Sequence, residues 1–170
     1  MKSAPGYILF CILSFILFIN NSAFAQKGNK LTRNSYAYCK FSSPGMIPVN
    51  PQGKPMATMI QERIIYLEIK GNATPVIETV RSGKYHFTYS TREITSFPES
   101  PGILEKTGKA VLFHKLTGYT LWRIDLSPGS DQEAIPASVL GNFQVKGSLN
   151  GNPFTVIIKK ESALQAQPRY

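Results

Sequence analysis

Apolar and polar residues alternate along several short runs of this chain, as they do in β-strands that bury one face. In the run 61–70, Ile65 and Leu67 fall on the same side of an extended chain, because successive side chains point to opposite faces of a strand. The runs 76–80 and 84–91 follow, and turns that contain glycine or proline separate all three. This arrangement predicts an antiparallel meander of three strands.

Two more hairpins are predicted in the second half of the chain. The runs 110–115 and 119–126 flank a turn and would form the first, with Trp122 on its inward face. The second is centred on Asn150 and Gly151, because Asn-Gly is the strongest two-residue hairpin signal. Its inward residues are expected to be Phe143, Val145, Leu149, Phe154, Val156 and Ile158.

The strand pattern predicts an all-β domain. About eight short strands follow one another at roughly 8–12-residue spacing, without a long amphipathic helix. We expect a single antiparallel β-sandwich, with a small closed β-barrel as the alternative. The proline-bearing segments 42–55 and 97–102 favour the sandwich, because proline suits sheet-to-sheet connections better than central strands.

The first residues have the pattern of a secretory signal peptide. A basic start, the apolar run 7–19 and a small-x-small site ending at Ala25 predict a helical signal peptide over 1–25, cleaved after Ala25. A retained N-terminal anchor is the alternative, although the apolar run is short for a span of ~20 residues. We expect a secreted or periplasmic protein without a transmembrane span after cleavage. Its β-sandwich domain covers 26–162, and a flexible tail covers 163–170.

The charge pattern supplies candidate contacts for an anionic partner. The chain has a formal net charge of +9, and the segment 26–60 carries five basic residues and only basic charges. We call Lys27, Lys30 and Arg33 the basic arm; they are candidate contacts to an anionic glycan or lipid surface. We favour the simpler interpretation, a basic surface that serves only solubility, and keep the anionic partner as a candidate. No nucleic-acid partner is expected, because the basic and aromatic run 81–89 does not match the RNA-recognition consensus.

The residues that could carry catalysis are few and scattered. His86 alternates with polar residues and is expected on the surface, whereas His114 lies between leucines and is expected to be partly buried. Cys39 is expected to be a buried apolar residue, with an intermolecular disulfide or a reactive thiol as alternatives. No nucleophile elbow or metal-ligand spacing is present. We therefore expect no enzyme, no cofactor and no metal; an enzyme using His86 or His114 is the weakest hypothesis.

The sequence carries no motif that is diagnostic of a family, so the functional prediction is a general one. We expect an exported, non-catalytic binding or scaffold module that contacts an unknown protein or an anionic surface. The alternative is a carrier of small apolar ligands, with a barrel cavity lined by Tyr85, Phe87, Trp122 and Phe143. The candidate binding residues are Lys27, Lys30, Arg33, His86, His114 and Trp122.

Overall fold

A computed structural model describes residues 31–42, 51–53, 60–129, 135, 136 and 138–166 of the chain. These residues form ten β-strands and no helix, which confirms the all-β prediction. The strands are β1 Thr32–Ser42, β2 Ile60–Lys70, β3 Pro75–Ser82, β4 Tyr85–Ile94, β5 Glu99–Ile103, β6 Ala110–Phe113, β7 Tyr119–Pro128, β8 Gly141–Leu149, β9 Asn152–Lys160 and β10 Ser162–Leu164. The predicted signal peptide 1–25 and the arm residues Lys27 and Lys30 lie outside the described residues.

Eight of the strands form one curled sheet in the order β10-β1-β2-β7-β4-β3-β8-β9. Neighbouring strands pair antiparallel, except for β10, which pairs parallel to β1. A single residue, Glu161, connects β9 at one edge of the sheet to β10 at the other. The two edges therefore meet in space, and the sheet curls into a half-barrel.

The remaining strands, β5 and β6, form a small second sheet. Its β5 end is joined to β10, because the Glu105 amide donates to the Ala163 carbonyl and the Gln165 amide donates to the Ile103 carbonyl. Ordered structure thus extends into the segment 163–170, where a flexible tail was expected. Residues 167–170 lie outside the described part of the chain.

Two apolar cores result from this arrangement, and β2 contributes to both. Ile65, Leu67 and Ile69 belong to the inner core within the curl of the sheet. Ile64 and Tyr66 belong to an outer core, which β6 covers through Phe113 and Val111. The fold therefore combines features of both predicted architectures: a curled eight-stranded sheet around one core, and a second sheet packed on its outer face.

Two of the predicted strand pairings are wrong, and two are confirmed, the first being the antiparallel pairing of β3 with β4 in the predicted meander. β2 pairs with β1 and β7 instead of β3, and β6 pairs with β5 instead of β7. β5 itself occupies part of the segment 97–102, which the proline pattern predicts to be a connection between sheets. The β8–β9 hairpin is confirmed, with φ angles of 51° at Asn150 and 76° at Gly151. The Asn-Gly turn specifies its pairing locally, whereas the two wrong hairpins had only sequence proximity in their favour.

A buried ion pair lies where β9 crosses to β10. The Arg63 guanidinium contacts the Glu161 carboxylate, and the two side chains are 3% and 0% exposed. Arg63 also donates to the carbonyls of Pro136 and Ser138, each at 2.9 Å, and the Leu140 amide donates to Glu161 at 2.6 Å. The pair therefore attaches the connection between β7 and β8 to the end of the half-barrel.

Cys39 lies beside this ion pair and is fully buried, as the sequence predicted. It is opposite Arg63 in the register of β1 and β2. Burial raises the pKa of the Cys39 thiol to about 12, and the negative charge of Glu161 acts in the same direction. This thiol therefore has neither the exposure nor the pKa of a reactive cysteine.

Candidate functional site

A groove of about 330 Å³ lies on the outer face of the half-barrel, where β1 and β2 meet β6. We call it the outer groove. Its lining includes Arg33, Asn34, Tyr36, Glu68, Leu112, Phe113 and His114. A second, smaller depression shares Glu68, Phe113 and His114 with it and extends to Tyr119 on β7. Glu68 therefore lies on the boundary between two adjoining depressions.

An irregularity in β1 positions one polar residue of the groove. The register of β1 against β2 shifts between Thr32 and Ser35, and such shifts redirect side chains locally. At this point the Asn34 amide Nδ2 donates to Glu68 Oε2 at 2.7 Å. The bulge thus brings a hydrogen-bond donor to a carboxylate of the neighbouring strand.

Glu68 is a buried acid, with a relative exposure of 6%. It follows Ile64 and Tyr66 along the outer face of β2, where its neighbours are apolar. None of the ion pairs among the described residues includes Glu68. A buried carboxylate is costly unless donors surround it, so its environment calls for hydrogen-bond donors.

The Glu68 carboxylate affects the pKa of Tyr36. Burial raises the pKa of the Tyr36 hydroxyl, and the negative charge of Glu68 raises it further. The positive charge of Arg33 acts on the same hydroxyl in the opposite direction. The fields of Glu68 and Arg33 therefore overlap at Tyr36, within the groove.

Aromatic rings form one wall and the base of the groove. Tyr36 and Phe113 make an edge-to-face contact with ring centroids 5.3 Å apart, and Phe113 lies 4.6 Å from Tyr66. The Tyr66 hydroxyl donates to Glu99 at 2.7 Å, and the pKa of Tyr66 is raised by burial and by this hydrogen bond. Glu99 also pairs with Arg123 at 3.4 Å. Tertiary contacts thus hold the groove wall in place.

Two of the predicted binding residues, Arg33 and His114, lie at the edge of this groove. The Arg33 guanidinium carbon lies 5.7 Å from the centroid of the Tyr119 ring, a cation–π geometry. His114 is exposed, whereas we had expected it to be partly buried. The residue leaves β6 at the end of the small sheet, where solvent reaches it.

The other predicted site residues lie elsewhere. His86 is exposed on β4, opposite Arg81 on β3, and is not among the residues that line the outer groove. Trp122 is in the inner core, and its indole N–H donates to Thr120 Oγ1 at 3.2 Å. The structure therefore does not bring these candidates together, and it separates Cys39 from both histidines by placing it in the interior.

The groove residues Asn34, Tyr36 and Glu68, which interact with one another, were not identified from the sequence. The available signal was Glu68, an acid that follows Ile64 and Tyr66 on one side of a run whose opposite side is also apolar. A strand with two apolar faces is buried on both, so a lone acid within it indicates a buried charge.

The four residues proposed to line a carrier cavity are close together but tightly packed. Phe87, Trp122 and Phe143 belong to the inner core, and Tyr85 packs against it. The ring centroids of Phe87 and Phe143 are 5.8 Å apart. Side chains therefore fill the place where the carrier hypothesis put its ligand.

Two further features, a cluster of metal ligands and a membrane-spanning helix, are absent from the described residues. No three His, Cys, Asp or Glu side chains within them are grouped so as to hold a metal ion. Nor do those residues include a helix of sufficient length and hydropathy to cross a membrane. Comparison with known proteins gave no match to a family model, a curated protein or a solved structure. The outer groove is accordingly the basis for a functional proposal.

Proposed function

We propose that this chain is an exported, non-catalytic binding module of the cell envelope or extracellular space, and that its ligand binds in the outer groove. The observation that carries the proposal is Glu68, a buried carboxylate on the boundary of two surface depressions. Natural folds bury an acid where its hydrogen bonds are satisfied or where it has a function.

The chemistry of the groove favours binding over catalysis. Nucleophilic catalysis needs a nucleophile and a base within hydrogen-bonding reach. Cys39 shares the inward side of β1 with Ala37, whereas Tyr36 and Tyr38 face the outer groove and the outer core. His114 therefore has no cysteine nucleophile beside it among the described residues. The raised pKa of Tyr36 keeps that hydroxyl protonated at neutral pH, so it does not supply a base.

The charge at the edge of the groove also suits the anionic partners that the sequence suggests as candidates. Arg33 is the arm residue that the structure describes, and it lies at the groove edge. A ligand in the groove would meet this guanidinium, and the basic arm would add long-range attraction for an anionic surface. An anionic glycan or lipid headgroup fits this charge better than a basic partner does.

The binding proposal can be tested by NMR on the purified protein labelled with ¹⁵N. We expect acidic oligosaccharides or vesicles containing phosphatidylglycerol to shift the amide resonances of Asn34, Tyr36, Glu68 and His114. Glu68→Gln should weaken the response, while Glu78→Gln, a matched change of an exposed acid on β3, should leave it intact. Shifts confined to another surface, or none with any probe, would overturn the proposal.

Export has its own test. Mass spectrometry of the protein recovered from an expressing cell should find Gln26 as the first residue, because the small-x-small site ends at Ala25. Recovery of the chain with residues 1–25 attached, in the membrane fraction, would instead establish the retained anchor.

A further inference from the structure

The hydrogen-bonding capacity of Glu68 restricts what the outer groove can hold. An ionised carboxylate accepts about four hydrogen bonds. Asn34 supplies one donor at 2.7 Å, and the Tyr36 hydroxyl interacts with the same carboxylate. Among the described residues these donors leave part of that acceptor capacity unused, so a ligand that reaches Glu68 must bring hydrogen-bond donors with it.

The charge of Arg33 favours neutral hydrogen-bond donors over cationic ones in such a ligand. An ammonium group on Glu68 would lie in the positive field of Arg33, which reaches the neighbouring Tyr36 hydroxyl and counteracts the effect of Glu68 there. A cationic ligand would therefore face repulsion from Arg33 as well as attraction to Glu68. Neutral donors avoid this conflict, and adjacent hydroxyl groups can use both oxygens of one carboxylate.

The walls of the groove suit a ligand with an apolar face. The Tyr36 ring is half-buried and braced edge-on by Phe113, and Leu112 is 51% exposed at the rim. Aromatic faces carry partial negative charge and attract the C–H groups of a ring laid against them. The groove volume of about 330 Å³ is near the lower end of small-ligand sites, ~300–1,000 Å³.

We infer that the outer groove is a saccharide-binding site, in which adjacent sugar hydroxyls donate to the Glu68 carboxylate and a sugar face packs against Tyr36. Arg33 and His114 lie where they would contact an acidic substituent of that sugar. This assignment rests on the proposed function, because it names the ligand class of the same groove.

The test measures the affinity of neutral disaccharides and of matched disaccharides that contain a uronic acid, by NMR titration of the purified protein. We expect Glu68→Gln to lower the affinity for both sugars about tenfold or more, since charge-assisted hydrogen bonds become neutral ones. The matched control Glu78→Gln should bind as the parent does. Arg33→Gln should weaken only the acidic sugar, by about threefold at low salt, an effect that added salt removes.

A second variant keeps the test independent of any folding defect in Glu68→Gln. Leu112 is exposed, so Leu112→Trp would fill the groove mouth without altering a core residue, and we expect it to abolish sugar binding. Unchanged sugar affinity in both variants would overturn the saccharide assignment. Groove shifts produced only by tetramethylammonium or by anionic vesicles would overturn it while leaving the binding function intact. If no probe shifted the resonances of the groove residues, both the saccharide assignment and the proposed binding function would be overturned.

Discussion

Removing one partner of the Arg63–Glu161 pair should destabilise the fold severely. Arg63→Leu deletes the ion pair and the two hydrogen bonds to the carbonyls of Pro136 and Ser138. It leaves the Glu161 side chain, at 0% exposure, without its cationic partner. The perturbation therefore lies at the joint between the two edges of the curled sheet.

The expected loss follows from the burial of both groups. Breaking a buried ion pair on one side costs ~3–5 kcal/mol, because an uncompensated charge remains in the interior. A domain of this size has a free energy of unfolding of ~5–15 kcal/mol, so the variant should lose a third or more of its stability. The two orphaned carbonyls lie in the β7–β8 connection, where water can replace Arg63 if the connection detaches.

The double variant Arg63→Leu/Glu161→Leu separates charge from contact. Replacing both members of a buried pair by apolar residues is often neutral or stabilising, whereas removing one is costly. We expect the double variant to recover at least about 2 kcal/mol relative to Arg63→Leu. Recovery would show that the uncompensated Glu161 charge, and not the missing contacts, causes most of the loss.

Urea denaturation followed by Trp122 fluorescence measures these free energies, because Trp122 is in the inner core. Arg92→Leu, a matched change at an exposed position of β4, should alter stability by less than about 0.5 kcal/mol. The reasoning fails if Arg63→Leu costs no more than Arg92→Leu, or if the double variant is less stable than either single variant.

Three further predictions concern other parts of the fold. Gly147→Ala should lower the free energy of unfolding by at least about 2 kcal/mol, because the added Cβ would lie 2.2 Å from the Val76 carbonyl oxygen. Urea denaturation measures this loss, and equal losses in Gly147→Ala and in the control variant Lys146→Ala would contradict the prediction. Cys39 should react with a thiol reagent at pH 8 at least about a thousandfold more slowly in the native state than in urea, since its pKa is raised from 9.0 to about 12; native labelling at the unfolded rate would refute its burial. The pKa of Tyr38 is likewise raised from 10.0 to about 12 by burial, so folding favours its protonated form. The contribution of Tyr38 to the free energy of unfolding is complete below pH 10 and is lost toward pH 12. Tyr38→Phe should therefore flatten the decline in the free energy of unfolding between pH 10 and pH 12, and an unchanged decline would contradict this prediction.

The alternation pattern of a strand does not determine which other strands it pairs with. Alternation predicts β2, β3 and β4 as strands, but β2 pairs with β7, whose partner residues are 49 to 63 positions away in sequence, and not with β3. A strand that is apolar on both sides can form a hairpin or occupy the centre of a sheet, since both satisfy its side chains. Its partners depend on which arrangement buries the whole set of strands.

The outer groove likewise combines a residue that the sequence pattern can indicate with residues that only the tertiary structure brings together. The lone acid Glu68 was readable in the sequence, but its partners Asn34 and Tyr36 come from β1, and Phe113 and His114 come from the small sheet. β5 overlaps a segment whose prolines, Pro98 just before the strand and Pro101 within it, favour a connection over a strand. Only packing on the outer core explains why this short sheet forms, as a two-stranded sheet is marginal alone.

Local chemistry alone determined the all-β class, the alternation of individual strands and the Asn150-Gly151 hairpin, because periodicity and positive φ depend on neighbouring residues. Tertiary structure decided the strand order, the curl of the sheet, the Arg63–Glu161 joint and the outer groove. Each of these depends on contacts between distant segments, whose free energy exists only once the chain has closed around its cores.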